Sequence, residues 1–201
     1  MTKYEVATPH LIEGTNILKN KLGLTDQAKL DLFEEKAFIY RSMDAPTGEL
    51  SREHLCNIHR HLLQDVYEWA GELRDVPISR GTSRFCQPQF IVQEMEKVIG
   101  KIDLEQLQKM DTDQLSGALA EIIGEMNAVH PFLDGNGRSI RVYAQQIASA
   151  SDHDLEIHKL KRDAWNNASE ASFLKADNTM LAKILVECLT QIQEQDESPS
   201  P

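Results

Sequence analysis

The sequence has few basic residues for its size, and this scarcity restricts what the chain can bind. Lysine and arginine number 21 against 32 aspartate and glutamate residues, so the formal net charge at pH 7 is −11. Nucleic acids and anionic membranes are bound first by clustered lysine and arginine. The charge balance therefore argues against direct nucleic-acid or membrane partners, and any phosphate must be held at a small local site.

Long apolar runs and paired cysteines are also absent. No run approaches the roughly 18 apolar residues of a membrane span, and residues 1–12 lack the apolar segment of a secretory signal. The three cysteines, Cys56, Cys86 and Cys188, are widely spaced and form no C-x-x-C pair. We therefore expect a cytoplasmic protein with reduced cysteines.

Glycine and proline are scarce, with 10 and 7 residues in 201, which leaves room for long helices. Apolar residues recur at spacings of three and four, as in Leu30, Phe33, Ala37 and Tyr40. We predict helices over residues 25–43, 51–71, 90–102, 112–129, 138–150, 162–171 and 178–192, with N-caps at Thr25 and Thr112 and with Ser51 as the residue that opens the second helix. The predicted fold is an all-α single domain over residues 1–195, followed by a disordered polar tail, 196–201.

One segment breaks the helical pattern. Residues 73–86, LRDVPISRGTSRFC, alternate over short stretches on either side of a Ser-Arg-Gly-Thr centre. This pattern predicts a small β-hairpin.

The most informative stretch is His130 to Arg141, HPFLDGNGRSIR, between two predicted helices. Gly135 and Gly137 allow the backbone N–H groups to turn toward one point, at the positive end of the following helix. Arg138 and Arg141 lie three residues apart, so both guanidinium groups can reach one phosphate chain. The pattern predicts an anion-binding cradle.

Two further side chains add chemistry to this cradle. Asp134 offers a hard oxygen ligand for Mg²⁺ bound to nucleotide phosphates, and His130 can accept a proton from an attacking hydroxyl. Each feature alone is also typical of an ordinary turn. An EF-hand is excluded because no glutamate stands at the twelfth loop position. The combination favours transfer of a phosphorus group from a Mg-nucleotide to a hydroxyl.

Residues 130–141 match the whole signature of Fic-domain proteins, H-x-F-x-D/E-G-N-G-R-x-x-R, without a departure. The stretch YEWAGELRDVPISRGTSRFC resembles the segment that leads through the flap of short bacterial Fic proteins. The resemblance covers a core of about residues 50–189 and leaves a helical N-terminal extension before it. It implies a Fic-type helical domain whose hairpin is the flap.

The resemblance implies a protein adenylyltransferase, which transfers AMP from ATP to a hydroxyl of a target protein. In that reading His130 is the base, Phe132 anchors the loop and Asp134 holds Mg²⁺. The phosphate-binding residues are Gly135, Asn136 with a side-chain contact, Gly137, Arg138 at the β-phosphate and Arg141 at the γ-phosphate. The flap residues expected to bind the target backbone are Ile78, Ser79, Arg80, Gly81 and Thr82. Related kinases carry lysine at the position of Gly137, and other relatives transfer UMP. The resemblance therefore defines the reaction class better than the nucleotide base of the donor.

Many Fic proteins are inhibited by a helix bearing S/T-x-x-x-E-G/N. The near match here is Thr190 to Gln195 in the last predicted helix, with Thr190, Glu194 and a departure at Gln195. This departure favours a separate antitoxin protein, as in the short bacterial Fic toxins that act on DNA gyrase and topoisomerase IV. Two alternatives are a non-catalytic nucleotide- or protein-binding module and the Fic portion of a larger secreted effector.

Two other interpretations concern residues outside the motif. His54, His59 and His61 crowd one predicted helix at spacings that do not suit zinc, and we expect them to be solvated. Trp165 is expected in the core, with a wall of the nucleotide-base site as the alternative.

Overall fold

The computed structural model describes residues 8–80 and 83–192. The α-helices are α1 (Gln27–Ser42), α2 (Arg52–Leu63), α3 (Ile91–Ile99), α4 (Leu104–Leu107), α5 (Thr112–Val129), α6 (Asn136–Ala150), α7 (Arg162–Lys175) and α8 (Thr179–Val186). The strands are β1 (Ser79–Arg80), β2 (Ser83–Arg84), β3 (His153–Leu155) and β4 (Leu189–Gln191). Short 3₁₀ helices cover Thr8–His10, Pro88–Phe90 and Ile157–Lys159. The mostly helical class is confirmed.

The core is built around α5, which packs against α3, α6, α7 and α8. Its buried side chains include Leu115, Leu119, Ile123 and Met126, which recur at helical spacing. Helix α2 packs on α6 and on α1. The core therefore fixes the end of α5 and the start of α6, and the predicted motif connects these two helix ends.

The N-caps lie where short polar side chains can reach the third amide of each helix. Ser51, the residue predicted to open the second helix, caps α2 by accepting from His54 N–H. Asp26 caps α1 and Asp111 caps α5, each one residue away from the predicted threonine. At α5 the Gln114 side chain also accepts from Asp111 N–H and completes a capping box, which Thr112 could not form.

The buried face of α1 differs from the predicted apolar stripe. Leu30 is 1% exposed, but Phe33 is 38% exposed and Tyr40 is 68% exposed. The residue one turn after Leu30 on the inner face is Glu34, a carboxylate that is 2% exposed. The prediction failed because it assumed that an apolar side chain marks the inner face.

The predicted last helix, 178–192, is too long. Helix α8 ends at Val186, and Leu189–Gln191 form β4, which pairs antiparallel with β3 and places Thr190 opposite Asp154. In this segment Leu189 is buried while Thr190 and Gln191 are exposed. Its backbone pairs with β3 instead of continuing the helix. The predicted inhibitory segment is therefore not helical at Thr190. Glu194, Gln195 and the tail 196–201 lie outside the described residues.

The predicted hairpin is confirmed. Strands β1 and β2 pair antiparallel, with Ser79 opposite Arg84 and Arg80 opposite Ser83. We call residues 78–86 the flap. Within the described ranges, the structure contains no helix with the length and hydropathy needed to cross a membrane.

Candidate active site

The motif loop begins and ends with left-handed backbone conformations. His130, the C-cap of α5, has φ 51°, and Gly135, the N-cap of α6, has φ 77°. A Cβ atom at Gly135 would lie 2.3 Å from Leu63 Cδ1. Glycine is therefore required there by both backbone conformation and space, and α6 begins at Asn136, two residues before the predicted start.

The loop is closed by the side chain of Asn136. Its Oδ1 accepts from Phe132 N–H at 2.9 Å, and its Nδ2 donates to Phe132 O at 2.8 Å. Both Asn136 and Phe132 are fully buried, which fits the expected anchoring role of Phe132. The Asn136 amide is thus used within the loop, and its expected side-chain contact with phosphate stays a prediction.

His59 of α2 supports the motif loop by a hydrogen bond and by ring stacking. Gly71 N–H donates to His59 Nδ1 at 2.8 Å, so Nε2 carries the proton and donates to Asp134 O at 2.9 Å. The ring also stacks on Phe132 at 3.8 Å. Burial lowers the pKa of His59 to about 3, which keeps the ring neutral. The expectation that His54 and His59 are solvated is wrong, because both are buried.

His130 is held in a defined tautomer. Its Nδ1–H donates to Asn127 O at 3.1 Å, which makes Nε2 the basic nitrogen of the ring. Phe85 at the end of the flap stacks on the imidazole at 3.9 Å. Burial, more than the nearby positive charge of Arg74, lowers the pKa of His130 to about 4.

Arg138 is enclosed by negative charge. Its Nη2 lies 2.8 Å from Glu34 Oε2 and 3.6 Å from Asp134 Oδ2. Tyr67 O–H in turn donates to Glu34 Oε1. Burial disfavours the charged form, but Asp134 and Glu34 outweigh it and raise the pKa of Arg138. The arginine is thus fixed by a buried polar network.

Arg141, one turn further along α6, lies between aromatic rings. Its guanidinium carbon is 5.8 Å from the ring centre of Phe38 and 5.5 Å from that of Trp165. Among the described residues no carboxylate lies within ion-pair distance of it. Burial, and then the charges of Arg138 and Arg162, lower the pKa of Arg141 to about 10. Trp165 is both a core residue and a wall of the site.

The backbone between these side chains forms the predicted cradle. The N–H groups of Asn136 and Gly137 open α6 and have no acceptor among the described residues. Gly135 N–H is used by Asp134 Oδ1 at 2.6 Å. A Cβ atom on Gly137 would lie 3.3 Å from Trp165 Nε1, so a side chain there would crowd the cradle.

A cavity of about 690 Å³ unites these groups. One wall is the motif, and the other is formed by α1 and α7 together with Ile157 and Leu160. The motif residues on the wall are His130, Asp134, Gly135, Gly137, Arg138 and Arg141. Arg80 of the flap also lines the cavity.

The remaining flap residues lie differently from one another. Ile78 is buried, Ser79 is half-buried and Arg80 is exposed. Gly81 and Thr82 lie outside the described residues. The side chain of Ile78 is therefore not accessible to a partner, and its carbonyl accepts from Phe85 N–H within the flap.

Asp134 fits a metal ion in chemistry but does not form a metal cluster. No group of three or more histidine, cysteine or acidic side chains suited to a metal occurs among residues 8–80 and 83–192. The carboxylate of Asp134 borders both the cavity and the cradle. A Mg²⁺ ion bound here would need phosphate and water oxygens for its other ligands, which is its usual coordination with nucleotides.

Sequence reasoning missed the supporting residues of the site. Glu34 and Phe38 come from α1, Tyr67 follows α2, and Phe85 lies in the flap. The one available signal was Glu34, a carboxylate one turn after a buried leucine. The others resemble ordinary core or surface aromatics in the sequence.

Comparison with known proteins adds three findings. The sequence model of the Fic/DOC family matches residues 49–148. The chain is 33% identical over 177 residues to the probable protein adenylyltransferase y4lH of Sinorhizobium fredii, covering 86% of this chain and 92% of that protein. It is 32% identical over 190 residues to protein adenylyltransferase VbhT of Bartonella schoenbuchensis, covering 92% of this chain but 40% of that longer protein.

The fold is also found among solved structures. BepC of Bartonella tribocorum, an effector protein solved with bound AMPPNP, superposes with a TM-score of 0.83 at 19% identity. The match covers 92% of this chain and 98% of that one. At this identity the likeness concerns the fold, and it extends to α1, which precedes the segment matched by the family model.

Proposed function

The chain belongs to the Fic/DOC family, and from this premise we propose that it is a protein adenylyltransferase that transfers AMP from ATP to a hydroxyl side chain of a target protein. The observation that carries this function is that three groups line one cavity. They are the basic nitrogen of His130, the anion cradle, and Arg141, which has no carboxylate partner among the described residues. The curated relatives at about one-third identity are named protein adenylyltransferases.

His130 is the proposed general base. The target oxygen attacks the α-phosphorus of ATP, its proton passes to His130 Nε2, and the bond from the α-phosphorus to the bridging oxygen breaks to release pyrophosphate. The hydrogen bond from Nδ1 to Asn127 O fixes the tautomer that this step needs. The lowered pKa keeps His130 unprotonated at neutral pH.

The phosphates are bound by the start of α6. The N–H groups of Asn136 and Gly137 at the N-terminus of α6 are the donors for these phosphates. We assign Arg138 to the β-phosphate and Arg141 to the γ-phosphate. Because Glu34 already holds Arg138 in place, its guanidinium is preorganised and loses little entropy when it contacts phosphate.

Asp134 is the residue that would hold Mg²⁺. A bound Mg²⁺ would neutralise charge on the phosphate oxygens and on the departing pyrophosphate. Asp134 itself is kept in place by Gly135 N–H and by Arg138 at 3.6 Å.

The flap is the proposed docking site for the target. It has only two strands, so its edges can pair with an extended segment of another protein, as in other cases of β-augmentation. Phe85 joins the flap to the His130 ring, so a target side chain on that edge lies near the base. Arg80 lines the same cavity and adds positive charge beside the phosphates.

We further propose that the chain is the toxin of a toxin–antitoxin pair that acts in the cytoplasm on DNA gyrase or topoisomerase IV. This finer assignment follows the resemblance to short bacterial Fic toxins. The surroundings of Arg141 favour an inhibitor that is a separate protein, because no described residue supplies a carboxylate to this arginine. A glutamate from an antitoxin helix would fill that role.

The experiment uses the purified chain with Mg²⁺ and a bacterial lysate. Parallel reactions contain α-labelled ATP, γ-labelled ATP or α-labelled UTP, with wild type, His130→Ala and the matched control His61→Ala, a histidine bound at Arg41 O and Asp44. We expect label on protein only from α-labelled ATP, lost in His130→Ala and kept in His61→Ala. Label from γ-labelled ATP would contradict AMP transfer, and label from UTP would change the donor.

The proposed targets and inhibitor need separate tests. Purified gyrase and topoisomerase IV replace the lysate, and absence of label on both would refute this target assignment. A coexpressed small helical protein with Ser-x-x-x-Glu-Gly should suppress labelling through Arg141.

A further inference from the structure

The carboxyl end of α5, where the motif begins, is capped by a distant part of the chain. A helix leaves its last carbonyl groups without partners inside the helix. Here Cys86 N–H donates to Ala128 O at 3.3 Å, and Arg74 N–H donates to Pro131 O at 2.9 Å. The caps come from the two ends of the segment that carries the flap.

The Arg74 side chain caps the two carbonyls in between. Its Nε donates to His130 O at 2.7 Å and its Nη2 to Val129 O at 3.2 Å. The same guanidinium donates to Val76 O at 2.9 Å and to Cys86 O, one on each side of the flap. One side chain therefore holds the base residue and both ends of the flap.

The environment of Arg74 is unusual for a cation. The residue is 3% exposed, and no carboxylate of the described part of the chain lies within ion-pair distance of it. Burial lowers its pKa to about 10. The carbonyl groups, at the negative end of the 18-residue helix α5, are what offset the cost of burying the charge. An apolar side chain would leave these carbonyl groups without donors, so the guanidinium is what joins the end of α5 to the flap segment.

The contacts of the flap show which groups Arg74 holds in place. Phe85, next to the bonded Cys86, stacks on the His130 ring at 3.9 Å. His130 itself has a left-handed backbone, which surrounding contacts must maintain in a residue other than glycine. Without the Arg74 bonds, both the flap and the backbone of His130 lose their shared support.

We propose that Arg74 is a positioning residue for AMP transfer, which sets the distance between the target-docking edge of the flap and the imidazole of His130. This role rests on the proposed function. It concerns the acceptor side of the reaction only, since Arg74 does not line the phosphate cavity.

The test compares Arg74→Met and Arg74→Lys with wild type and with the control Arg60→Met, which removes an exposed arginine of α2. Label transfer from α-labelled ATP to lysate protein is measured at varied ATP concentration, with thermal unfolding recorded for every variant. The contact between flap and base is measured separately, as the ring-current shift of the His130 Cε1–H resonance in histidine-labelled protein.

We expect Arg74→Met to lower kcat at least 50-fold, to leave KM for ATP within twofold and to lose the His130 ring-current shift. Arg74→Lys keeps the charge but cannot reach four carbonyls, so it should recover less than a tenth of the activity. Arg60→Met should behave as wild type in all measurements.

An unchanged His130 resonance in Arg74→Met and Arg74→Lys would overturn the proposal. So would a rise in KM for ATP in proportion to the loss of kcat, because the defect would then lie in the nucleotide site and not on the acceptor side of the reaction. If wild type transfers no AMP, the proposed function fails, and the His130 resonance still decides whether Arg74 joins the flap to the base.

Discussion

The two halves of the motif are held by different forces. The loop half, residues 130–136, is fixed by hydrogen bonds to backbone groups: His130 to Asn127 O, Asn136 to Phe132, His59 to Asp134 O, and Arg74 to His130 O. The arginine half, residues 137–141, is surrounded by charges and aromatic rings from α1 and α7. The loop half must hold a shape, whereas the arginine half must hold charge ready for an anion.

Within the arginine half, the two arginines also differ from each other. Arg138 is paired with Glu34 and Asp134, while Arg141 contacts Phe38 and Trp165. The first is part of the folded structure before any ligand binds. The second keeps its charge available, at the cost of burial without an ion pair to any described residue.

The largest effect is expected when the paired arginine is removed. Arg138→Met leaves Glu34 and Asp134 buried without their cation, which should destabilise the fold by about 3–5 kcal/mol. Urea denaturation measures the change, and Glu34→Gln in the same chain should restore part of it. A loss below about 1 kcal/mol would mean that the pairing contributes little to folding.

Acid should weaken the loop half. His59 and His130 have a pKa of about 3 and about 4 when folded, below the ordinary value of 6.5. As the pH falls below 6.5 the unfolded chain takes up protons that the folded chain does not, so stability falls. Each histidine should account for about 2 kcal/mol between pH 7 and pH 5. The measurement is unfolding at several pH values, and His130→Ala should show about half of this dependence.

Removing Arg141, which has no ion-pair partner among the described residues, should separate binding from stability. Arg141→Met should weaken binding of a non-hydrolysable ATP analogue about 30-fold, or about 2 kcal/mol, by loss of a charge-assisted contact. Its free energy of unfolding should change by less than about 1 kcal/mol, because Arg141 forms no ion pair within the described ranges. Calorimetric titration and denaturation test both values. Equal losses in Arg138→Met and Arg141→Met would remove the distinction between the two arginines.

The smallest effect concerns the ring that flanks Arg141. Phe38→Leu should weaken nucleotide binding two- to fivefold, consistent with a cation–π contact of about 0.5–1 kcal/mol. Phe33→Leu, on the same helix but 38% exposed, is the matched control. If both variants bind alike, Phe38 does not orient the arginine.

The motif and most of the fold could be predicted because their signals are local. Helical spacing gave α5 and α6, and the cradle depends on residues 130–141, which are adjacent in the sequence. The partners of these residues are distant: Glu34 reaches Arg138 and His59 reaches Asp134 only through the packing of α1 and α2. For the same reason β4 was missed, since it exists through its pairing with β3.

Charged and polar side chains at inner positions caused the other errors. Glu34 and His59 look like surface residues in a sequence, but each has a specific partner that offsets the cost of burial. A pattern of apolar residues contains no information about such partners.

The position of Trp165 gives the protein an intrinsic optical probe. The sequence has 2 tryptophans, and Trp165 lines the cavity with its ring against Arg141, while Trp69 stacks on Tyr67. In a Trp69→Phe variant the tryptophan fluorescence of the chain would come from the cavity wall alone. Entry of a nucleotide, or of an inhibitor's carboxylate, could then be followed in real time without any added label.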